Sequence, residues 1–418
     1  MTRCKASLFS FFVFLGSLSI SLGVWSGEET GEIVDDLYEH EGLLGGGLST
    51  LSSEPPLSLL GSLPAPLPFN CTTEEMDSRE GEAKDIHDLH PSDIKVVMAL
   101  GDSVTAAFGM AGKSLNPFSE FGEYRGRSWF IGGDSKATTT TSILRHYSVD
   151  GLMGYSKGHH LPEICFGPIC PPLQRRHETD QLNAAQSGAL AMNLFNQWNY
   201  LRDMMLDDKT IDIRGSWKLM NIFIGSNDMC FSCTGLFYTS PEEYERTLRA
   251  VLEDVRRTMP KTFVSLVEVF RVSALHRLAE SIPSCRGVHR LLPVQCSCGF
   301  LPSVLGGDKL RKKMDQVADK YNEAITRVAA DFQARGDPDF AVVSIPAFSH
   351  VKEKELEADF LSTTDCFHPS AEAHQVMGAL LWNNLISPRE NKTSDMPPRS
   401  EWDHLIKCAN KDTRLYVD

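Results

Sequence analysis

Three short polar motifs, far apart in the chain, carry the side chains that nucleophilic catalysis by serine requires. Gly101-Asp102-Ser103 supplies a hydroxyl, Gly225-Ser226-Asn227-Asp228 supplies an amide donor, and Asp365-Cys366-Phe367-His368 supplies an imidazole with a carboxylate three residues before it. A serine hydroxyl is a weak nucleophile and needs a base, and an aspartate holds such a histidine in one tautomer. Each motif alone is typical of an ordinary turn or cap. The interpretation therefore depends on the three motifs meeting in space.

Apolar runs rich in β-branched residues precede the first two motifs. Four such runs predict buried strands: Ile94–Leu100, Trp217–Ile224, Thr262–Phe270 and Phe340–Ile345. Amphipathic patterns predict helices that begin at Pro241 and that span Asp308–Phe332 and Pro369–Ile386. This alternation predicts an α/β fold, a three-layer α/β/α sandwich with a mostly parallel central sheet. Ligands of such sheets bind beyond the carboxyl ends of the strands, where Ser103 and Asn227 would lie.

Composition and charge exclude some classes of protein. The chain has 41 basic and 55 acidic residues, a formal charge of −14, which argues against a nucleic-acid partner and against a polybasic lipid-binding patch. No apolar run after residue 30 is long enough to cross a bilayer, so no transmembrane anchor is expected.

The chain divides into segments of different composition. Residues 1–26 carry Arg3 and Lys5 before an apolar stretch, which predicts a secretory signal peptide, with an uncleaved signal anchor as the alternative. Residues 27–68 are acidic and then rich in Gly, Ser, Leu and Pro, which predicts a disordered leader, either a propeptide or a plain linker. Residues 69–388 are expected to form the catalytic domain and 389–418 a C-terminal tail. The expected location is extracellular.

Cysteine usage agrees with secretion. Ten of the 11 cysteines follow the predicted signal peptide, which allows up to five disulfides. Cys230/Cys233 and Cys296/Cys298 also suggest zinc, but no Cys or His pair follows at the right interval. Gly158-His159-His160 is interpreted as an exposed loop rather than a metal site, and neither a metal nor a cofactor is expected. Sequons at Asn70 and Asn391 predict glycosylation.

In their order and spacing the motifs resemble those of the GDSL/SGNH hydrolase superfamily, and Asn183–Gly188 resembles its glycine block. The phospholipase B branch is more similar still, through Tyr124–Asp134, Cys296-Ser297-Cys298 and the run Asp365–Leu385. The resemblance extends from about Pro68 to Pro388. Two departures are expected from the sequence: one catalytic unit where mammalian members carry several, and no counterpart of their C-terminal membrane anchor.

The resemblance implies an SGNH-type, flavodoxin-like hydrolase fold and a role for each matching residue. Ser103 would be the nucleophile, His368 the general base, and Asp365 the group that orients His368. The main-chain N–H groups of Ser103 and Gly188 and the side chain of Asn227 would form the oxyanion hole. The implied activity is hydrolysis of fatty-acyl esters in phospholipids and lysophospholipids at a micelle or membrane surface.

Other polar residues of the motifs have supporting or substrate-binding interpretations. Asp102 and Asp228 are expected to brace their loops by hydrogen bonds. Arg125 and Arg127 could meet a lipid phosphate while Trp129 forms an apolar lip; the alternative is a structural loop with an internal Arg–Asp134 pair.

Two other functions compete with phospholipid hydrolysis. One is a carboxylesterase for short-chain or acylated-sugar esters that uses the same triad. The other is a non-catalytic lipid-binding protein on the same scaffold. The sequence leaves the oligomeric state open.

Overall fold

The computed structural model of the chain describes residues 63–73, 81–112, 121–148, 151–165, 167, 169–170, 175–235, 238–286, 296, 298–351 and 357–417. The predicted signal peptide, residues 27–62 of the predicted leader and Ser297 lie outside these residues. The described residues belong to one compact unit that runs from Pro56 to Asp418.

A four-stranded parallel sheet forms the centre of this unit. Its strands lie in chain order: β1 Ile94–Gly101, β2 Trp217–Phe223, β3 Thr262–Val267 and β4 Phe340–Ile345. They are almost completely buried, because helices cover the sheet, and this explains their nearly continuous apolar sequences. The four predicted strands are confirmed. The third ends at Val267 rather than Phe270, because Val267 pairs with Ile345, the last residue of β4.

The helices alternate with the strands. The α-helices of the described residues are α1 Ser103–Ala106, α2 Thr140–Tyr147, α3 His177–Asp180, α4 Leu194–Asp207, α5 Ser226–Phe231, α6 Pro241–Thr258, α7 Val272–Ser281, α8 Gly307–Gln333 and α9 Ala371–Leu385. α6 packs between α4 and α8, while α9 packs on α2, and both α8 and α9 contact β4. The predicted α/β sandwich is therefore confirmed. A capping box begins α6, since Glu243 N–H donates to Ser240 Oγ and Ser240 N–H donates to the Glu243 carboxylate.

Two short segments extend the sheet beyond β1. Val97 N–H donates to Met153 O at 2.9 Å, and Ala99 N–H donates to Leu182 O at 3.0 Å. Ala184 N–H donates back to Ala99 O at 2.9 Å. The chain that continues towards Gly188 therefore runs beside β1 and reaches the same edge of the sheet as Ser103.

Five disulfides brace the loops and the C-terminal segment. They join Cys71 to Cys408, Cys165 to Cys170, Cys230 to Cys296, Cys233 to Cys298 and Cys285 to Cys366. The four cysteines considered as zinc ligands are thus paired with one another, so they are not available as thiolates. The predicted tail packs on the body of the unit, where Leu415 N–H donates to Leu89 O. None of the helices in the described ranges has the length and apolarity needed to cross a membrane.

Candidate active site

Ser103 stands at the turn between β1 and α1. Gly101 ends the strand and Ser103 begins the helix, so only Asp102 separates them. A Cβ atom at Gly101 would lie 2.6 Å from Thr105 Oγ1 and 2.7 Å from Phe223 O, and this close approach requires glycine. The Asp102 carboxylate accepts Val104 N–H at 3.0 Å and caps the helix. The serine is therefore fixed at the carboxyl edge of the sheet.

His368 and Asp365 meet this serine from the other end of the sequence. His368 Nε2 lies 2.7 Å from Ser103 Oγ, and His368 Nδ1 is hydrogen-bonded to the Asp365 carboxylate. The second oxygen of Asp365 accepts the N–H groups of Phe367 and His368, each at 3.0 Å. Burial alone would raise the pKa of Asp365, but the charge of His368 and these hydrogen bonds outweigh burial and lower it. Asp365 therefore stays ionised and can hold the imidazole with Nε2 free to accept the hydroxyl proton.

The loop that carries His368 is tied to the loop after α1. Ser362 Oγ donates to Gly109 O, and Ser362 N–H donates to His368 O at 2.8 Å. Cys366 has a left-handed backbone with φ of 56° and is bonded to Cys285, just beyond α7. These links hold the loop of His368 beside the loop that follows Ser103 and α1.

The three predicted oxyanion donors converge on the same edge. Gln186 N–H donates to Gly101 O, and Asn227 Nδ2 donates to Ala189 O at 3.0 Å. Gly188 has φ of 80°, a conformation that favours glycine. Within the described residues the main-chain N–H groups of Ser103 and Gly188 have no hydrogen-bond acceptor. Unpaired N–H groups beside a nucleophile are the arrangement that an oxyanion would satisfy.

Two buried carboxylates lie beneath this edge. Asp228 accepts Ala191 N–H at 2.9 Å and the Thr239 hydroxyl, which joins α5 to the segment after Gly188. Burial raises the pKa of Asp102 to about 6 and that of Asp228 to about 6. Both carboxylates hold main-chain groups in place, as loop-bracing residues would.

A narrow apolar cleft with a volume of about 50 Å³, partly open to solvent, lies against His368. Apart from His368 and Arg271, its walls are apolar: Val104, Phe223, Phe270, Ala274, Leu275, Phe348, Val351, Phe360, Leu361, Phe367, Pro369 and Met377. Such a cleft suits an acyl chain. Arg271 is partly exposed and lies 2.8 Å from Asp319. The sequence analysis missed Arg271, although its place directly after an apolar strand pattern was a usable signal.

The structure corrects the predicted role of Arg125. The side chain is completely buried and pairs with three carboxylates: Glu123 at 2.8 Å, Asp180 at 3.2 Å and Glu163 at 3.6 Å. It also donates to Asn183 O at 3.0 Å and Ala185 O at 2.7 Å. The prediction that Arg125 contacts a lipid phosphate is therefore wrong. Arg125 instead holds the segment that leads to Gly188, as a structural arginine would.

Arg127 and Trp129 are also interior residues. Arg127 is buried in the same short 3-10 helix as Arg125, so it is not presented to a headgroup. The Trp129 ring is completely buried and packs edge-on against Phe223 and Phe348, each with ring centres 5.8 Å apart. Since both phenylalanines line the cleft, Trp129 supports the cleft wall from behind. The predicted apolar lip is thus wrong for this residue.

His159 and His160 do not form the exposed loop that was expected. His159 stacks on Tyr124, and His160 Nε2 lies 2.7 Å from Asp180 Oδ1. His160, Glu163 and Asp180 offer ligand atoms within 4.8 Å of one another, a spacing that a metal could use. Both carboxylates are shared with the guanidinium of Arg125, however, so they already neutralise a cation.

A second histidine near the triad escaped the sequence analysis. His374 lies completely buried on α9 and accepts Trp129 N–H at 3.2 Å. Burial, together with the charge of His368, lowers its pKa to about 3. It is therefore neutral and links α9 to the Trp129 wall.

Solved structures with a similar course of chain include a catalytic mutant of an acetylxylan esterase from Geobacillus stearothermophilus. Its sequence is 14% identical, the match covers 68% of this chain and 90% of the esterase chain, and the TM-score is 0.35. A phospholipase A1 from Streptomyces albidoflavus is 18% identical, the match covers 70% of this chain and 98% of the phospholipase chain, and the TM-score is 0.32. At these scores neither structure carries an argument about the function of this chain.

Sequence relatives give a closer match. Membrane-associated phospholipase B1 from Rattus norvegicus is 30% identical over 335 residues, which is 77% of this chain and 22% of the relative. The protein of the same name from Homo sapiens is 30% identical over 338 residues, 78% of this chain and 22% of the relative. The chain thus spans about a fifth of the length of these relatives. The family model for GDSL-like lipase/acylhydrolase matches residues 97–381. The chain therefore belongs to the GDSL-like lipase/acylhydrolase family.

Proposed function

We propose that this chain is a secreted lipase that cleaves fatty-acyl esters of phospholipids and lysophospholipids, with Ser103, His368 and Asp365 as its catalytic triad. The observation that carries the proposal is the hydrogen-bonded chain from Ser103 Oγ through His368 to Asp365, at the mouth of an apolar cleft. The similarity to proteins named phospholipase B1 supports phospholipids as the substrate class.

The geometry supports an acyl-enzyme mechanism. Ser103 Oγ attacks the ester carbonyl while His368 Nε2 takes the hydroxyl proton, and Asp365 stabilises the resulting imidazolium. The N–H groups of Ser103 and Gly188 and the side chain of Asn227 bind the tetrahedral oxyanion. His368 then gives the proton to the leaving alcohol, and water hydrolyses the acyl-serine by the same steps in reverse order. The loss of one oxyanion donor typically lowers the rate about 10²–10³-fold.

The cleft and its single cation fit the two parts of a phospholipid. The apolar walls would hold the acyl chain beside His368, and removal of that chain from water would contribute to binding. Arg271 lies on the cleft wall and is partly exposed, so it can meet a phosphate without leaving Asp319.

Disulfides and sequons support the proposed location. All ten cysteines of the described residues are paired, which is typical of an oxidising compartment. Asn70 and Asn391 are exposed and could accept glycans. Residues 1–26 would act as the signal peptide, and 27–68 as the leader.

Fatty-acid release tests this proposal. The full chain is expected to release fatty acid from phosphatidylcholine and lysophosphatidylcholine, and Ser103→Ala is expected to lower both rates by at least about 10³-fold. Ser216→Ala, at a turn before β2, is the matched control and should retain the rates. Hydrolysis of short-chain esters alone would favour the carboxylesterase instead. Failure on every ester would favour the non-catalytic lipid-binding protein.

A further inference from the structure

Exposed apolar side chains are concentrated in loops and turns. Eleven large apolar side chains are exposed among the described residues, and nine of them lie in loops, in 3-10 turns or in the first turn of α4. The other two are Leu206, in the last turn of α4, and Tyr416, whose N–H donates to Leu385 O at the end of α9. Single exposed apolar residues are ordinary on protein surfaces, but this uneven distribution needs an explanation.

Four of the nine form a patch beside the proposed oxyanion hole. Ile164 and Ile169 come from the loop closed by the Cys165–Cys170 disulfide, and Met192 and Phe195 lie three residues apart where α4 begins. Asn193 Nδ2 donates to Gly167 O at 2.6 Å, which holds the two segments together.

This patch is also anchored to the proposed site. Cys165 N–H donates to Ser187 O at 2.8 Å, and Ser187 directly precedes Gly188. The patch therefore adjoins the oxyanion side of the nucleophile.

Two further side chains project on the other side of the site. Val304 is 92% exposed and Leu305 is 66% exposed. The guanidinium of the buried Arg311 fixes their loop from inside, since it donates to Gly299 O at 3.0 Å and Leu301 O at 2.8 Å. The buried Arg311 therefore anchors the base of the loop that carries this exposed aliphatic tip.

The loop with Val304 and Leu305 is continuous with the acyl cleft. Phe300, one turn before the tip, packs against Phe367 with ring centres 6.0 Å apart. Phe367 lines the cleft and precedes His368. Apolar side chains thus project on both the oxyanion side and the cleft side of the nucleophile.

We propose that these six side chains, Ile164, Ile169, Met192, Phe195, Val304 and Leu305, form a docking rim that seats the enzyme on the surface of a phospholipid aggregate. A lipid surface that contacts both halves of the rim would lie across the mouth of the cleft, so an acyl chain could enter the cleft without passing through water. The formal charge of −14 leaves apolar contact, rather than attraction to anionic lipid, as the main source of binding. The inference rests on the proposed function, because it takes the substrate lipid as the occupant of the rim.

Vesicle binding by an inactive protein tests the docking rim. The full chain with Ser103→Ala would be mixed with large unilamellar phosphatidylcholine vesicles, and the bound fraction measured by flotation. Two paired substitutions, Met192→Ser with Phe195→Ser and Val304→Ser with Leu305→Ser, are each expected to weaken partitioning about 10-fold. Leu206→Ser, at the opposite end of α4, is the matched control and should leave partitioning unchanged. All changed side chains are exposed, so circular dichroism and thermal unfolding should stay the same.

Three outcomes would overturn the docking rim. In the first, the Ser103→Ala protein binds no vesicles; in the second, both paired variants partition as the control does. In the third, the protein is a stable dimer that the paired substitutions dissociate, which would mean that a second copy covers the rim.

Hydrolysis of a short-chain phosphatidylcholine below its critical micelle concentration separates this proposal from the proposed function. Dispersed substrate needs no docking, so active enzymes with the paired substitutions should hydrolyse it at the unsubstituted rate. If the unsubstituted enzyme fails on the dispersed phospholipid and on every aggregate, the proposed function is wrong. If the unsubstituted enzyme hydrolyses the dispersed phospholipid but the Ser103→Ala protein does not bind vesicles, only the proposal of the docking rim is wrong.

Discussion

Replacement of Arg125 distinguishes a buried structural arginine from a phosphate-binding one. The guanidinium is completely buried among Glu123, Glu163 and Asp180, and it donates to two carbonyls of the segment before Gly188. Removal of one partner of a buried ion pair typically costs about 3–5 kcal/mol, because the remaining charges stay desolvated and uncompensated. We therefore expect Arg125→Met to lower the free energy of unfolding by about 3–5 kcal/mol.

Arg125→Lys extends the comparison to a variant that keeps the charge. One ammonium cannot reproduce the planar set of donors that contacts carboxylates and both carbonyls, so we expect a smaller loss of stability. The displaced segment should also misplace the Gly188 N–H and lower kcat by up to about 10²–10³-fold, on charged and uncharged esters alike.

Denaturant unfolding, followed by tryptophan fluorescence with the disulfides intact, measures the stability of these variants. The matched control is Arg249→Met, since Arg249 bonds Glu245 at 2.8 Å on a partly exposed helix face. Surface pairs of this kind contribute about 0–1 kcal/mol. A stability loss below that of the control, together with a raised KM for phospholipids only, would refute the structural role and restore the phosphate-binding one.

Three further perturbations test other parts of the site. Asp365→Asn should lower kcat about 10⁴-fold without unfolding the protein, because the amide N–H₂ would donate to His368 Nδ1 and hold the imidazole in the wrong tautomer. Single-turnover hydrolysis measures this, and an unchanged kcat would contradict it. In the folded protein the pKa of Asp102 is raised from 3.8 to about 6. Between about pH 4 and pH 6 the unfolded chain therefore releases a proton that the folded protein keeps. The free energy of unfolding consequently falls as pH rises through this window. Asp102→Asn should remove this fall and be more stable at pH 7 by up to about 3 kcal/mol, with no difference near pH 3.5; parallel denaturation curves at both pH values check the sign. Arg271→Gln should lower kcat/KM about 10-fold for phosphatidylcholine but not for an uncharged ester with the same acyl chain, and an equal loss on both would exclude a phosphate contact.

Much of the fold could be predicted because buried parallel strands and capped helices leave local patterns. The four strands are short apolar runs, and α6 carries a serine cap, a proline and a glutamate in sequence. The end of β3 was placed too late because Val269 and Phe270 are apolar, although β4 offers no partner beyond Ile345. The end of a strand depends on where its partner strand ends, so the sequence of the strand alone does not predict it.

The roles of individual polar residues depended on contacts across the sequence. The catalytic roles could be proposed from the sequence for Ser103, Asp365 and His368, because each of these residues belongs to a recognisable motif. The burial of Arg125 could not, because its partners Glu163 and Asp180 approach only after the chain has passed beside β1. The internal-loop alternative was therefore closer than the phosphate-binding one, and the carboxylates that pair with Arg125 are Glu123, Glu163 and Asp180.

Active-site labelling tests the central claim most directly. The full chain would be treated with a fluorophosphonate, digested, and the modified residue mapped by mass spectrometry, with a parallel sample of His368→Ala. We expect a single adduct on Ser103, formed at least about 10³-fold more slowly without the imidazole that activates the hydroxyl. An adduct on another residue, or labelling of Ser103 at the same rate in the His368→Ala protein, would contradict the claim that these two side chains act together.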